Sequence, residues 1–273
     1  MTDLDTEVRI PPGVELRDGR LLDNVLGQTY PLSGSACAFL ELMLQRRRLG
    51  EIATIVAERF GVEEEIVATD LIQFVETLNS GHLLNVRGGS PTLRFRRWAG
   101  QLAYSVVTRS FPTRRVTRHA VSAHGLLPHL ASISAILGKH TMPVWLLPAA
   151  GLLALGTLAK LELAAVLAPA ILAVFLCLVV HEFGHALAIW REGAGSYVVT
   201  AGWNVAIVHS VARPAPLIHA GGPALAGAVG VCAVIVSLVA GSPQSASFAV
   251  PFLLNLAGLT VFSKDGRSLA RAL

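Results

Sequence analysis

Cysteine is scarce in this 273-residue chain: Cys37, Cys177 and Cys232 lie far apart and form no CxxC pair. That argues against a disulfide framework and points to a reducing compartment or to burial in lipid. Acidic residues are absent from two long stretches, 86–140 and 193–264. The opening residues MTDLDTEVRIPPG lack a basic start followed by an apolar run, so they do not read as a secretory signal. Insertion into a membrane is therefore expected from internal segments.

What is present is unevenly spread. Residues 1–85 carry 14 acids and 7 bases, residues 86–140 carry 9 bases, and residues 141–273 carry 4 acids and 6 bases among mostly apolar positions. The formal net charge of +4 averages an acidic head, a basic collar and a hydrophobic remainder. The expected fold is an α-helical membrane protein with a small soluble, winged-helix-like α+β domain at its N-terminus. The expected divisions are 1–86, a basic linker over 87–140 and a membrane domain over 141–273.

Four stretches are apolar enough to read as spans: 141–159, 163–190, 217–240 and roughly 246–263. Pro251, Asn255 and Gly258 weaken the last as a regular helix, a break tolerated where it packs inside protein. Basic residues place the collar, the 191–216 loop and the tail on one side, so both termini are expected in the cytosol of a bacterial inner or plasma membrane. Within the collar, TLRFRRWAGQLAYSVVTRSF (92–111) spaces Leu93, Trp98, Leu102 and Val106 near the helical period beside arginines. It reads either as a helix lying on an anionic leaflet or as a plain basic linker. His119, His124, His129 and His140 read as surface or interfacial histidines.

The second span ends in LCLVVHEFGHALAIW (176–190). Ionisable groups at bilayer depth cost about 2.5–3.5 kcal/mol each on insertion scales, so His181, Glu182 and His185 call for a use. His181 and His185 are one turn apart, stacked about 6 Å along a helix axis, where two imidazoles can grip one zinc ion. Glu182 is then placed to take a proton from a water at the metal, the HExxH logic of zinc hydrolases. A third ligand is sought by elimination among the four acids of 141–273, Glu162, Glu182, Glu192 and Asp265. Glu162 lies 19 residues before His181, about 28 Å along a helix, and Glu192 about 10 Å beyond His185. Asp265, in SKDGRSL, remains, with His209 and His219 as weaker competitors and Cys177 one turn before His181.

HEFGH (181–185), AGGPALAG (220–227) and NLAGLTVFSKDG (255–266) together resemble the site-2 protease family of intramembrane zinc metalloproteases. The resemblance implies His181, His185 and Asp265 as ligands of Zn2+ and Glu182 as general base. It also implies Gly222 and Pro223 at a close helix contact beside the substrate, and Asn255 as a holder of the substrate strand. Between the second and third spans, SYVVTAGWNVAIVHSV (196–211) reads as a short hairpin turning near Gly202, whose edge could pair with an extended substrate, or as an ordinary interfacial loop.

In the head, residues 14–32 predict short strands turning at Asp18-Gly19 and near Gly27. Ser33 or Ser35 can cap a helix through about Gln45, followed by helices over 49–60 and about 63–80. The Tyr-Pro-Leu-Ser entry, LGEIATIVAERFGV and LIQFVETLNSGHLLNV resemble the PqqD-like fold, the leader-binding module of systems that make ribosomally synthesised, modified peptides. The resemblance implies a leader peptide bound as an added strand against Gln28, Thr29, Tyr30 and Leu32 and the face of Leu71, Phe74, Val75 and Leu78. A winged-helix DNA reader shares three helices and a hairpin, but an acidic head suits phosphate poorly, and no nucleic acid is expected.

These readings converge on a membrane zinc endopeptidase that processes a captured precursor peptide alongside peptide-modifying enzymes. Two rivals stand beside it: a non-proteolytic zinc-holding protein that docks or delivers the peptide, and a membrane-bound DNA-binding regulator.

Overall fold

The computed structural model describes residues 4–88, 92, 95–96, 98–101, 103, 116–122, 125–159, 162–202, 204–210, 216–241, 243–260 and 264–272. The chain divides into two compact units, Met1–Ala120 with Ser196–Ser210, and Val121–Gly195 with Val211–Leu273.

In the first unit, β2 (Val14–Arg17), β3 (Arg20–Asp23) and β4 (Gln28–Pro31) form an antiparallel sheet in that order. Asp18 and Gly19, at φ 49° and 69°, make the tight turn between β2 and β3; successive positive φ values match the twist of the flanking strands. The helix α1 (Gly34–Leu44) starts at Ser33, whose Oγ accepts the Ala36 N–H at 3.2 Å. Along α2 (Leu49–Phe60), Leu49, Ile52, Ala53, Val56 and Ala57 are buried, the spacing of one helical face. Along α3 (Glu64–Ser80), Val67, Leu71, Val75 and Asn79 fall on one buried stripe. These stripes close a core that includes Leu21, Leu40 and Ile52, each fully buried. The chain then enters β5 (Asn85–Gly88), antiparallel to β1 (Thr6–Arg9), a strand the sequence reading did not anticipate.

A second sheet belongs to the same unit. The hairpin predicted over 196–211 is present as β7 (Ser196–Ala201) and β8 (Asn204–His209), turning at Gly202 with φ 62°. It is joined by β6 (Thr117–Ala120), from within the stretch expected to be a linker, in the order β6-β7-β8. Two buried asparagines carry β6. Asn79 Oδ1 accepts the Val116 N–H, and its Nδ2 donates to the carbonyls of Leu84 and Val116. Asn85 brackets Arg118 in the same way, accepting its N–H at 2.7 Å and donating to its carbonyl at 2.9 Å. Each amide thus supplies the pairing a neighbouring strand would otherwise give. The Arg118 side chain, 0% exposed, grips Asp23 with two bonds of 2.6 and 2.9 Å. Its guanidinium lies 3.7 Å from the centroid of the Tyr197 ring, and the Tyr197 hydroxyl lies 3.3 Å from His82 Nδ1.

Of the predicted interfacial helix, Leu93, Leu102 and Val106 lie outside the described residues, as does His124; Trp98 is helical and partly exposed. His119 Nε2 lies 2.9 Å from Thr200 Oγ1.

The second unit is helical: α4 (Leu126–Ala159), α5 (Glu162–Arg191), α6 (Pro216–Ala240), α7 (Pro243–Leu254), a 3-10 turn over Asn255–Leu259, and α8 (Lys264–Ala272). His129 is buried here, with Nδ1 3.0 Å from the Ser122 carbonyl, so it is not the surface residue the sequence implied. Among the described residues, two helices are long and apolar enough to cross a bilayer, Leu167–Arg191 and Pro216–Ala240. A pair bent by 56°, Leu126–Met142 with Leu146–Ala159, would make a third if it counts as one span. The fourth expected span is not one helix of spanning length among the described residues. Its apolar helical part runs Ala246–Leu259, contains Pro251, and tightens into the 3-10 turn at Asn255.

The helices α5 and α6 meet at glycines. A Cβ added to Gly184 would collide with the Gly221 carbonyl, and one added to Gly222 would lie 2.5 Å from His185 Nε2 and 2.9 Å from the His181 carbonyl. Only residues without a side chain permit this approach, as in other tightly packed apolar helix pairs.

Candidate functional site

On α5 the one-turn spacing of His181 and His185 points both rings the same way, with Nε2 atoms 3.0 Å apart. Asp265, in the first turn of α8, brings Oδ2 to 3.4 Å from His181 Nε2 and 3.7 Å from His185 Nε2. The three candidate ligand atoms all lie within 4.8 Å of one another. Ligands about 2.0–2.1 Å from a tetrahedral zinc stand about 3.3 Å apart, so the observed separations fit one ion without large movement. Each ring also has its other nitrogen engaged. His185 Nδ1 donates to the Ile218 carbonyl, and His181 Nδ1 lies 2.8 Å from Asn255 Oδ1. A carbonyl can only accept, so in both rings Nδ1 is the donor, and Nε2 is the atom turned toward Asp265.

Of the competing ligands, His209 lies in β8 and His219 in α6, and neither joins this group among the described residues. Cys177 is buried and held elsewhere: its Sγ donates to the Pro251 carbonyl at 3.5 Å and accepts from Asn255 Nδ2 at 3.1 Å. Glu182 is half-buried beside His181 and lies within electrostatic reach of His185. Gly222 and Pro223 are both buried in α6, Gly222 directly against the His185 ring. Asn255, which the resemblance implied as a holder of the substrate strand, contacts His181 and Cys177.

Gly222→Ala is accordingly expected to push His185 off its position. A Co2+ titration of the purified chain should show affinity reduced by about 10–100-fold, the usual range for changes that disturb ligand orientation.

In the first unit, β4 lies at an edge of its sheet, with Gln28 and Thr29 exposed and Tyr30 and Leu32 partly buried. Across α1 to α3 runs a groove of about 320 Å³ whose lining includes Ser33, Phe39, Phe60, Ile66, Asp70 and Phe74. Phe39 and Phe74 form its floor, with ring centroids 5.8 Å apart. Leu71 and Val75 are fully buried in the core and Leu78 packs against it. Leu71 and Val75 therefore shape the face from beneath, because their side chains point into the domain. Phe39, Phe60 and Ile66 extend the face beyond the leader contacts that the resemblance implied; Phe60 and Ile66 are apolar residues at exposed helical positions, at 52% and 51%, whereas Phe39 is buried.

The family model of coenzyme PQQ synthesis protein D (PqqD) matches residues 18–84. The head is PqqD-like. The match takes in β3, β4 and α1 to α3, and thus both the open edge of β4 and the groove. No curated protein and no solved structure matches the chain. The strands that frame the PqqD-like head, β1 and β6 to β8, lie outside the matched residues.

The Asp23–Arg118 pair anchors this frame and sets the charge states around it. Burial alone would raise the Asp23 carboxyl, but hydrogen bonds from Arg118 and from the Val25 and Leu26 N–H groups, with the guanidinium charge, hold it below the usual value. Burial pushes the Tyr197 phenol up to about 12. Burial, followed by the Arg118 charge, lowers His82.

Proposed function

We propose that the chain is a membrane-embedded zinc endopeptidase that processes a ribosomally made precursor peptide captured by its PqqD-like head. The observation that carries the reading is the convergence of His181, His185 and Asp265, from helices far apart in the chain, on one point at zinc-binding separations. Three protein ligands leave a fourth position open, the mark of a catalytic rather than a structural site.

A zinc ion held there would supply a water of lowered pKa and polarise the scissile carbonyl. Glu182 takes the proton of the attacking water on a carboxylate oxygen and delivers it to the departing amine nitrogen. The water oxygen bonds to the carbonyl carbon and the C–N bond breaks. As zinc ligands, His181 and His185 would offer Nε2 lone pairs while Nδ1 donates to Asn255 and to the Ile218 carbonyl. In this reading both termini lie in the cytosol, a side supported by the excess of arginine near the spans.

The head supplies recognition. A leader peptide adds as a strand to the edge of β4, seats apolar side chains in the groove over Phe39 and Phe74, and gains main-chain hydrogen bonds from Gln28 to Tyr30. The open edge of β8 offers a second register for an extended backbone. Capture by a tethered domain raises the local substrate concentration to about the mM range, so weak contacts at the active site suffice. Modifying enzymes would act on the same peptide.

The test is cleavage of a precursor peptide selected for binding to the head, followed by mass spectrometry in the presence and absence of a zinc chelator. Chelation is expected to stop cleavage and leave head binding intact; cleavage that persists without metal contradicts the reading. Phe74→Ala is expected to weaken leader binding by about 1–2 kcal/mol, as for an aromatic anchor at the centre of an interface. Fluorescence anisotropy with a labelled leader peptide checks this.

A further inference from the structure

We infer that Asn255 is a positioning residue for the metal ligand His181, not a substrate contact. The inference rests on the metal-centre reading above and assigns a different task to a residue that the sequence resemblance linked to substrate.

Three observations carry it. The Asn255 Oδ1 lies 2.8 Å from His181 Nδ1. Its Nδ2 points away from that ring and donates to Cys177 Sγ at 3.1 Å. Cys177 Sγ is itself fixed by donating to the Pro251 carbonyl at 3.5 Å, one turn before Asn255 in α7. A thioether or thiol sulfur is a weak acceptor but a sufficient one to decide which end of an amide faces it. With Nδ2 turned to sulfur, Oδ1 is left to accept the Nδ1–H of His181. That fixes the tautomer with Nε2 bare and holds the ring plane toward Asp265.

The local backbone explains how Asn255 reaches the ring. The helix α7 ends at Leu254, and the chain tightens into the 3-10 turn beginning at Asn255. The break that disqualifies this stretch as a regular span brings the amide beside α5. The two ligand histidines are thus held by different means. His185 uses the Ile218 backbone carbonyl, which no substitution deletes, whereas His181 depends on a side chain. Partners of this kind orient metal-bound imidazoles, and their loss commonly weakens metal affinity about 10–100-fold.

The full chain, purified in detergent and freed of metal, is titrated with Co2+ in competition with a chromogenic chelator. Asn255→Leu, of similar size but with no acceptor, is expected to bind Co2+ about 10–100-fold more weakly. The thermal unfolding of the metal-free chain should change little. Asn255→Asp keeps an acceptor for Nδ1–H and is expected to bind at least as tightly as the unaltered chain. If Asn255 touches only substrate, N255L binds Co2+ normally and only the KM for peptide rises; that result overturns the inference. An unaltered chain that binds no Co2+ overturns the metal reading itself, a separate outcome. Should N255L fail to fold, 15N spectra of the histidine rings in the zinc-loaded unaltered chain decide. A proton on His181 Nδ1 with metal at Nε2 supports the inference, and metal at Nδ1 overturns it.

Discussion

Glu182→Gln is expected to lower peptide cleavage by about 10²–10⁴-fold, the contribution of a general base, while the chain still binds one equivalent of metal. Gln keeps the size and hydrogen-bonding reach of Glu but cannot take a proton at neutral pH. Glu182 lies next to His181 on α5 and is not among the three grouped ligand atoms. Metal content should therefore be preserved, and leader binding by the head should not change. Mass spectrometry of the peptide products, zinc content and leader anisotropy, read on one preparation, separate these effects. Undiminished cleavage by the variant would remove Glu182 from the chemistry. Loss of zinc together with activity would make it a ligand instead of a base.

Arg118→Met is expected to destabilise the first unit by about 3–5 kcal/mol, because it leaves the Asp23 carboxylate buried and unpaired. Asp23 is 1% exposed, so water cannot replace the lost partner. The double variant D23L/R118M removes both charges, and should recover much of the loss, since well-packed apolar replacements of buried ion pairs are often neutral. Hydrogen exchange of the full chain reads this at β6 and β7, which should lose protection in R118M and regain it in the double variant. The pair also sets an acid limit. The folded Asp23 carboxyl is held below its ordinary value of 3.8. Its stabilisation is therefore fully present above that value and fades as pH falls through the lower folded value. Protection of β6 should hold at neutral pH and decay at strongly acid pH, and in D23L/R118M that part of the acid sensitivity should vanish.

The grouping of His181, His185 and Asp265 was legible because the chemistry that suggests it is local or exclusive. His181 and His185 are one helical turn apart, a spacing read directly from the letters. Asp265 was reached because so few acids occur in the apolar half that the others could be excluded by distance along a helix. The helices of the head were legible for a similar reason: the buried stripe of α2 repeats at the helical period, and Ser33 marks the start of α1.

What could not be read depends on contacts between distant residues. Strands β1 and β6 pair with strands far along the chain, so no adjacent hairpin turn signals them as one does for β2 and β3. The pairing of β6 with β7 joins positions more than 75 apart, such as His119 and Val198. Asn79 and Asn85 look like ordinary polar residues near a helix end, and nothing in their neighbours reveals that Asn85 brackets Arg118 of β6 and Asn79 the Val116 just before it. Asn255 was noticed for its motif, but its hydrogen bond to His181 could not be read, since it spans 74 positions. Pro251, Asn255 and Gly258 marked the last apolar stretch as irregular, but the letters did not show that the backbone tightens at Asn255.

The metal content of the purified full chain, compared with that of Asp265→Ala, bears most directly on the whole reading. One zinc per unaltered chain, with X-ray absorption showing two imidazoles and one carboxylate oxygen at about 2.0–2.2 Å, and its loss in the variant, is the expected result. Zinc that is never retained, or is held equally well without the carboxylate at 265, would contradict a centre shared by α5 and α8.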